Sequence, residues 1–146
     1  MATELKTLKL KKLADAERVE FGPLAHYNPL IADGDTPTRT GIQTSEPGYV
    51  APMHSHPYVE ILFILEGKME AWLEGGEDDP VRLGPGDSIA LPANIPHSFR
   101  TAGDQTMRLL GIHSSSERTV NYLDKETDEN GYPLVYAEAE KRVQTG

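Results

Sequence analysis

The chain of 146 residues contains no cysteine. Disulfide bonds, thiolate metal ligands and a cysteine nucleophile are therefore excluded. It also lacks any apolar stretch of the roughly 20 residues that a membrane-spanning helix requires. Charged residues interrupt every short apolar stretch of the N-terminal segment, which is unlike a secretory signal. We therefore expect a cytoplasmic protein without a membrane partner.

Positive charge is scarce as well. The sequence has 14 lysines and arginines against 23 acidic residues, a formal net charge of −9. A nucleic-acid partner would require a basic face, so this composition argues against one. The local exception is a group of lysines near the N-terminus, which we interpret as a solvated face: Lys6, Lys9, Lys11 and Lys12.

The sequence pattern is typical of an all-β protein. Short apolar or alternating stretches are separated by turns rich in Gly and Pro, and no long helix is predicted before the C-terminal part. The length fits one domain over residues 1–146, with a barrel core at about 17–113 and a polar extension over 114–146. Residues 22–38 are predicted to form a long loop, in which His26 and Tyr27 are candidates for a lid.

Residues 58–65 carry the strongest strand signal, and both faces of that strand are largely apolar. Such a strand is expected to be covered on both sides. One face would line the barrel interior, and the other would meet a second layer or another subunit. Residues 5–13 are predicted to form an edge strand or a short helix, and their leucines also require a partner surface. The two features together predict a homodimer. Two sheets of one barrel would also satisfy the strand.

Four residues of metal-ligand type are spaced in a way that brings them together. His54 and His56 are two apart, so in a strand they point to the same face. Glu60 has the same parity and joins them if the strand continues. His97 follows a separate strand bounded by Gly and Pro and can approach from a neighbouring one. Neutral imidazoles with a carboxylate suit a divalent first-row transition metal.

The same residues carry a resemblance to the cupin superfamily, specifically to its small single-domain, metal-binding members (monocupins). The first cupin motif is a Gly, five residues, His-x-His, three or four residues, Glu, six residues and Gly. Residues 48–67 match it at every fixed position. The resemblance implies a double-stranded β-helix, or jelly-roll barrel, with a metal held by three histidines and one glutamate.

The second cupin motif is matched with two departures. Residues 86–101 carry the first Gly, the Pro and the His of that motif. Asn94 stands where the motif has its inner Gly, and Thr101 replaces its final Asn. Asn tolerates the left-handed backbone conformation better than most residues, so the turn is expected to survive. Neither departure removes a metal ligand.

One divalent transition metal per chain is the predicted cofactor. Four protein ligands leave two open positions on a six-coordinate ion, which water, dioxygen or substrate oxygens can take. Tetrahedral zinc would be filled by the four ligands. Iron(II), manganese(II) and nickel(II) are therefore favoured, and zinc remains possible.

Further site candidates rest on strand parity. Tyr58 and His113 are candidate catalytic residues, the latter as a general base at the end of the last core strand. A packed tyrosine and a surface histidine are the alternatives. Arg39 and Gln43 share parity on one strand and are candidate substrate-binding residues, with Arg39 as an anchor for a carboxylate or phosphate. A surface position for Arg39 is the alternative. Phe99 shares parity with His97 and is predicted to line the pocket.

Two classes of function remain open. The first is a metal-dependent enzyme acting on a small organic acid, phenol or sugar-derived substrate. The cupin resemblance implies oxygenase chemistry or isomerase and lyase chemistry, in which the ion acts as a Lewis acid. The second is a non-catalytic module that binds a small ligand or a metal. The fold cannot choose between them.

Overall fold

The computed structural model describes residues 5–123. It places them in two antiparallel β-sheets, with a single 3₁₀ turn at Leu13–Asp15. The predicted all-β jelly-roll fold is thereby confirmed. Among the described residues, no helix is long and apolar enough to cross a membrane.

The two sheets are built from strands that are far apart in the sequence. The first sheet runs in the order β1 (Val19–Glu20), β2 (Ala25–Pro29), β3 (Arg39–Ser45), β10 (Met107–His113), β5 (Glu60–Glu66) and β8 (Ser88–Leu91). The second runs β11 (Asn121–Tyr122), β4 (His54–Ser55), β9 (His97–Ala102), β6 (Lys68–Leu73) and β7 (Val81–Leu83).

A hydrophobic core lies between the sheets. Leu62 and Ile64 of the first sheet meet Met69 and Phe99 of the second in one cluster of buried side chains. Alternation along β5 produces this arrangement, because Leu62 and Ile64 share one face of the strand and are 1% and 0% exposed.

The outer face of β5 is not covered within residues 5–123. Phe63 and Leu65, which alternate with the buried residues, are 36% and 39% exposed. The predicted strand over 58–65 begins only at Glu60. Of the two covers expected for its outer face, a second layer or another subunit, the second layer is absent from the described part of the chain.

Two other sequence-based expectations need correction. The stretch 22–38 was expected to be a long loop, but it contains β2, which pairs with β3 along its whole length. Tertiary pairing with β3 overrides the turn-forming composition of this segment. Residues 5–12 form neither the edge strand nor the short helix that was expected of the N-terminal segment.

The C-terminal extension takes part in the fold. Its strand β11 pairs with β4 through Asn121 opposite Ser55 and Tyr122 opposite His54. The expectations for residues 124–146 lie outside the described residues.

Candidate metal centre

The four predicted ligands converge at one end of the space between the sheets. His54 and His97 face each other as a cross-strand pair of β4 and β9. Glu60 begins β5 in the opposite sheet, and His56 lies in the connection between β4 and β5. The ligands therefore come from both sheets.

The continuous strand from which the common face of His54, His56 and Glu60 was predicted is not formed. Strand β4 ends at Ser55, and Pro57 follows in the bend that carries the chain to the other sheet. Proline has no amide hydrogen to donate to a strand ladder, so the strand cannot continue there unchanged. The ligands meet because the chain crosses the barrel, rather than because their parity is shared.

One ligand atom from each of the four side chains lies within 4.8 Å of the ligand atoms of the other three. Oε1 of Glu60 is 3.1 Å from Nε2 of His56 and 3.3 Å from Nε2 of His97. These two nitrogens are buried and make no hydrogen bond among the described residues. A buried polar atom without a partner is costly. A cation bound between the carboxylate and the imidazoles would satisfy them, so this donor set fits a divalent transition metal.

Two of the three ligand histidines, His54 and His56, are held in the tautomer that leaves Nε2 available to a metal. Nδ1 of His54 lies 2.6 Å from the carbonyl oxygen of Pro52. Nδ1 of His56 lies 2.7 Å from the carbonyl oxygen of Thr119. A carbonyl oxygen only accepts, so each Nδ1 carries the hydrogen and donates it. The lone pair of each ring is then on Nε2, and the rings cannot rotate freely.

The turn after β8 supports the same connection. Asn94 has a φ of 64°, the left-handed conformation that the sequence predicted at this position. Its backbone amide donates to the carbonyl oxygen of His56 at 2.7 Å. The two sequence motifs are thereby joined by a hydrogen bond at the edge of the site.

Charges in the site are matched to metal binding. Burial, with the neighbouring His97, lowers the pKa of His54 to about 3, so the ring is neutral. Burial opposes the charge of Glu60, but the hydrogen bond from His113 and the contacts with His56 and His97 outweigh it and hold the pKa of this carboxyl well below its usual range. A neutral imidazole beside an ionised carboxylate is the form in which these groups bind metals.

Tyr58 and His113 form a chain of contacts beside Glu60, and His113 also lines the pocket described below. The hydroxyl of Tyr58 is 2.6 Å from Nδ1 of His113, and Nε2 of His113 is 3.0 Å from Oε2 of Glu60. Burial raises the pKa of Tyr58 to about 12, so its hydroxyl is a neutral hydrogen-bond donor. His113 is 8% exposed, which excludes the surface position considered for it. A catalytic role for either residue remains a prediction.

A pocket with a cavity volume of about 60 Å³ opens beside the ligands. Phe99 and Gln43 lie on its wall, where strand parity placed them. The side-chain amide of Gln43 donates to Oγ of Ser45 at 3.0 Å. Apart from the ligands, the wall is dominated by aromatic rings: Phe21, Tyr27, Tyr49, Phe99 and Tyr122.

Arg39 does not line this pocket. It is the first residue of β3, and the preceding loop folds back against its guanidinium. Nη1 of Arg39 donates to the carbonyl oxygen of Ala32 at 2.9 Å. Its side chain lies instead in a separate cleft with Asp33 and Lys11. The expectation that Arg39 faces the site is therefore wrong, because the hydrogen bond to Ala32 holds its guanidinium in that separate cleft.

Several pocket residues were not anticipated. Tyr27 belongs to β2 rather than to a lid, and its ring stacks on Phe21 with centroids 5.7 Å apart. The ring occupies the space beside Gly41, where a Cβ atom would collide with it. Arg118 and Tyr122 come from the C-terminal extension. Neither has a local sequence signal, because their positions depend on how the extension returns to the barrel.

Comparison with known proteins agrees with this geometry. A family model described as "Cupin domain" matches residues 41–113, half of the chain, and this range includes all four ligands. The polyketide synthase CurC of Streptomyces cyaneus is 30% identical over 144 residues, which cover 92% of this chain and 91% of CurC. The dimethylsulfoniopropionate lyase DddQ of Ruegeria pomeroyi is 44% identical over 63 residues, 43% of this chain and 30% of DddQ.

A solved structure of similar fold covers nearly the whole chain. The polyketide cyclase RemF from Streptomyces resistomycificus superimposes with a TM-score of 0.65 and 24% identity, covering 90% of this chain and 94% of RemF. At this identity the likeness concerns the fold alone.

Proposed function

Because the chain belongs to the cupin family, we propose that it is a metal-dependent enzyme that acts on a small organic molecule. His54, His56, Glu60 and His97 would hold one divalent transition metal ion. The observation that carries the proposal is the pair of buried Nε2 atoms, of His56 and His97, which make no hydrogen bond among the described residues and converge on an ionised carboxylate beside an open pocket.

Iron(II), manganese(II) and nickel(II) are proposed ahead of zinc. Four protein ligands would complete a tetrahedral zinc site of the structural kind, whereas the other ions accept further ligands. When bound, such an ion supplies Lewis acidity toward a substrate oxygen.

We propose a planar phenolic substrate of the polyketide type. Five aromatic side chains line the pocket and suit stacking against a flat ring system. Gln43 and Arg118 on the wall offer a hydrogen bond and a positive charge to substrate oxygens. CurC, which matches this chain along nearly its whole length, is named a polyketide synthase.

Proton-transfer chemistry, as in an isomerase, lyase or cyclase, is proposed ahead of oxygenase chemistry. The aromatic walls exclude water from a bound ring, and Arg118 stabilises negative charge on an enolate or phenolate oxygen. The relative that matches nearly the whole chain, which is named a polyketide synthase, supports this order. Oxygenase chemistry is the alternative hypothesis, and it differs from proton-transfer chemistry because it requires dioxygen.

The test compares turnover with and without oxygen. Metal-free protein is reconstituted separately with iron(II), manganese(II), nickel(II) and zinc(II), and is assayed against a panel of phenolic β-polyketone analogues. Turnover under strict anaerobiosis supports the proposal, whereas turnover with stoichiometric oxygen uptake supports an oxygenase. Binding of metal and phenol without turnover supports a non-catalytic binding module. Failure of all four metals to bind contradicts the metal site itself.

Matched variants separate the site from the rest of the chain. His97→Ala removes a ligand that is 1% exposed and is expected to abolish metal-dependent turnover. His26→Ala removes a histidine of β2 that is outside the ligand cluster and the pocket wall. The second variant is expected to behave like the wild type.

We also propose a homodimer that forms through the outer face of the first sheet. Phe63 and Leu65 are exposed there, and Leu110 is the cross-strand neighbour of Phe63. Ile112, two residues further along β10, extends the same face. A contiguous apolar face of this kind is typical of a protein–protein contact, and the isologous contact of two identical faces closes into a dimer.

Light scattering coupled to gel filtration tests the dimer. Phe63→Glu is expected to produce a monomer. Val81→Glu, at a 54% exposed apolar position on the other sheet, is the control and is expected to stay dimeric. A monomeric wild type would contradict the proposal.

A further inference from the structure

We infer that Tyr58 and His113 form a positioning pair that fixes the carboxylate of Glu60 for metal binding through Oε1 alone. The inference rests on the metal site proposed above. It gives a structural role to two residues that the sequence indicated as candidate catalytic residues. Its basis is the unequal surroundings of the two carboxylate oxygens.

The two oxygens of Glu60 face different partners. Oε1 points to the ligand nitrogens, at 3.1 Å from Nε2 of His56 and 3.3 Å from Nε2 of His97. Oε2 points away from them and lies 3.0 Å from Nε2 of His113. His113 is not among the four clustered ligands. One oxygen is therefore free for a cation, while the other is engaged by a neighbouring ring.

The hydrogen-bond roles in this chain of groups follow from the acceptor at its end. An ionised carboxylate only accepts, so Nε2 of His113 carries the hydrogen and donates it to Oε2. The lone pair of the ring is then on Nδ1, which accepts from the hydroxyl of Tyr58 at 2.6 Å. Tyr58 therefore selects the tautomer of His113 that holds Glu60. Glu60, Tyr58 and His113 are each 8% exposed, so water has little access to compete.

The strand register brings these groups together. His113 is the direct cross-strand partner of Glu60 in β10 and β5, so their side chains lie on the same face of the sheet. Gly111 precedes His113 by two residues on that face. A Cβ atom at Gly111 would lie 3.9 Å from Oε2 of Glu60, an ordinary van der Waals distance, so Gly111 lies beside the carboxylate.

This arrangement makes His113 a positioning residue. Both of its ring nitrogens are engaged, one by Glu60 and one by Tyr58, so neither is open to a proton from a substrate. Partners that orient a metal ligand from behind typically change metal affinity by 10–100-fold when they are removed. The role is therefore expected to appear in metal binding, before any substrate is present.

The experiment measures the dissociation constant for manganese(II) by competition with a chelator. His113→Leu is expected to bind 10–100-fold more weakly than the wild type. His113→Gln retains an N–H donor near Oε2 and is expected to recover most of the affinity. Tyr58→Phe leaves the ring without its tautomer partner and is expected to show a smaller loss. His26→Ala serves as the unaffected control.

An infrared difference spectrum on metal binding supplies a second readout. The separation of the carboxylate stretching bands distinguishes an ion held by one oxygen from an ion held by both. We expect the one-oxygen signature in the wild type and in His113→Gln, and the two-oxygen signature in His113→Leu. A change confined to packing would lower stability without moving these bands.

The outcomes separate this inference from the proposed function. Wild-type affinity in His113→Leu, or an equal loss in His113→Leu and His113→Gln, overturns the positioning pair and leaves the metal site intact. A wild type that binds no manganese(II), nickel(II) or iron(II) overturns both. If the His113 variants do not fold, Tyr58→Phe decides: unchanged affinity and an unchanged infrared spectrum overturn the inference.

Discussion

Replacing Glu60 by glutamine is the most direct perturbation of the proposed metal site. The substitution keeps the size of the side chain and removes its charge. Glu60 is almost fully buried, and its Oε1 is the atom that the nitrogens of His56 and His97 surround. We therefore expect Glu60→Gln to fold but to lose most of its affinity for the ion, since no other carboxylate belongs to the ligand cluster among the described residues.

The size of the effect follows from binding linkage. A ligand that binds only the folded state at 100 times its dissociation constant stabilises it by about 2.7 kcal/mol. For a chain of this size, each kcal/mol raises Tm by about 2–4 °C, so the wild type should gain about 5–11 °C. If Glu60→Gln binds a hundredfold more weakly, the same metal concentration contributes about 0.4 kcal/mol, or about 1–2 °C.

Differential scanning calorimetry of chelator-treated protein, with and without added metal, measures this difference. His26→Ala should keep the full increase in Tm, because its ring is outside the ligand cluster. An equal increase in Tm for Glu60→Gln and the wild type would show that the metal binds elsewhere, and the assignment of the ligands would be refuted.

Three further predictions concern the support of the site and the fold. Asn94→Ala should lower the free energy of unfolding by about 1–2 kcal/mol, because Asn94 has a φ of 64°; Asn94→Gly should stay near the wild type in urea unfolding. Hydrogen bonds from Arg100 and Arg82 hold the pKa of Glu70 below its usual value of 4.5. The ionised carboxylate therefore stabilises the folded state above pH 4.5, and this stability is lost as the pH falls through the lowered pKa. Glu70→Gln should therefore be less stable at pH 7, by up to about 1 kcal/mol, and equal to the wild type near pH 2; a difference that persists at low pH would contradict this. A chain ending at residue 117 lacks the Thr119 carbonyl that accepts the hydrogen bond from His56. It should bind manganese(II) at least about tenfold more weakly than a chain ending at residue 123. Equal affinities would contradict a role of Thr119 in orienting His56.

The fold class was predictable because it depends on local patterns. Alternating and apolar stretches separated by Gly and Pro turns predict an all-β chain, and the strand predicted over residues 58–65 is observed as β5 at Glu60–Glu66. The left-handed conformation of Asn94 was also predictable, since only a few residue types tolerate it.

Strand β2 and the short strand β11 were not predictable in the same way. Their residues have weak strand signals, and they are strands because β3 and β4 present unpaired backbone groups to them. The burial of His113 depends on its register with Glu60, which no local pattern specifies.

The four ligands illustrate the division most clearly. The sequence by itself determined which residues can bind a metal, because imidazole and carboxylate groups in this spacing are chemically suited to it. It did not determine how they meet: the expected common strand is interrupted at Pro57, and His54, Glu60 and His97 converge from two sheets. Only the tertiary structure decided which oxygen of Glu60 faces the ligands, and that His113 and Thr119 stand behind them. The contacts of His113 with Glu60 and of Thr119 with His56 join residues more than 50 positions apart. Chain crossing and strand register fix these contacts, and both are properties of the folded molecule.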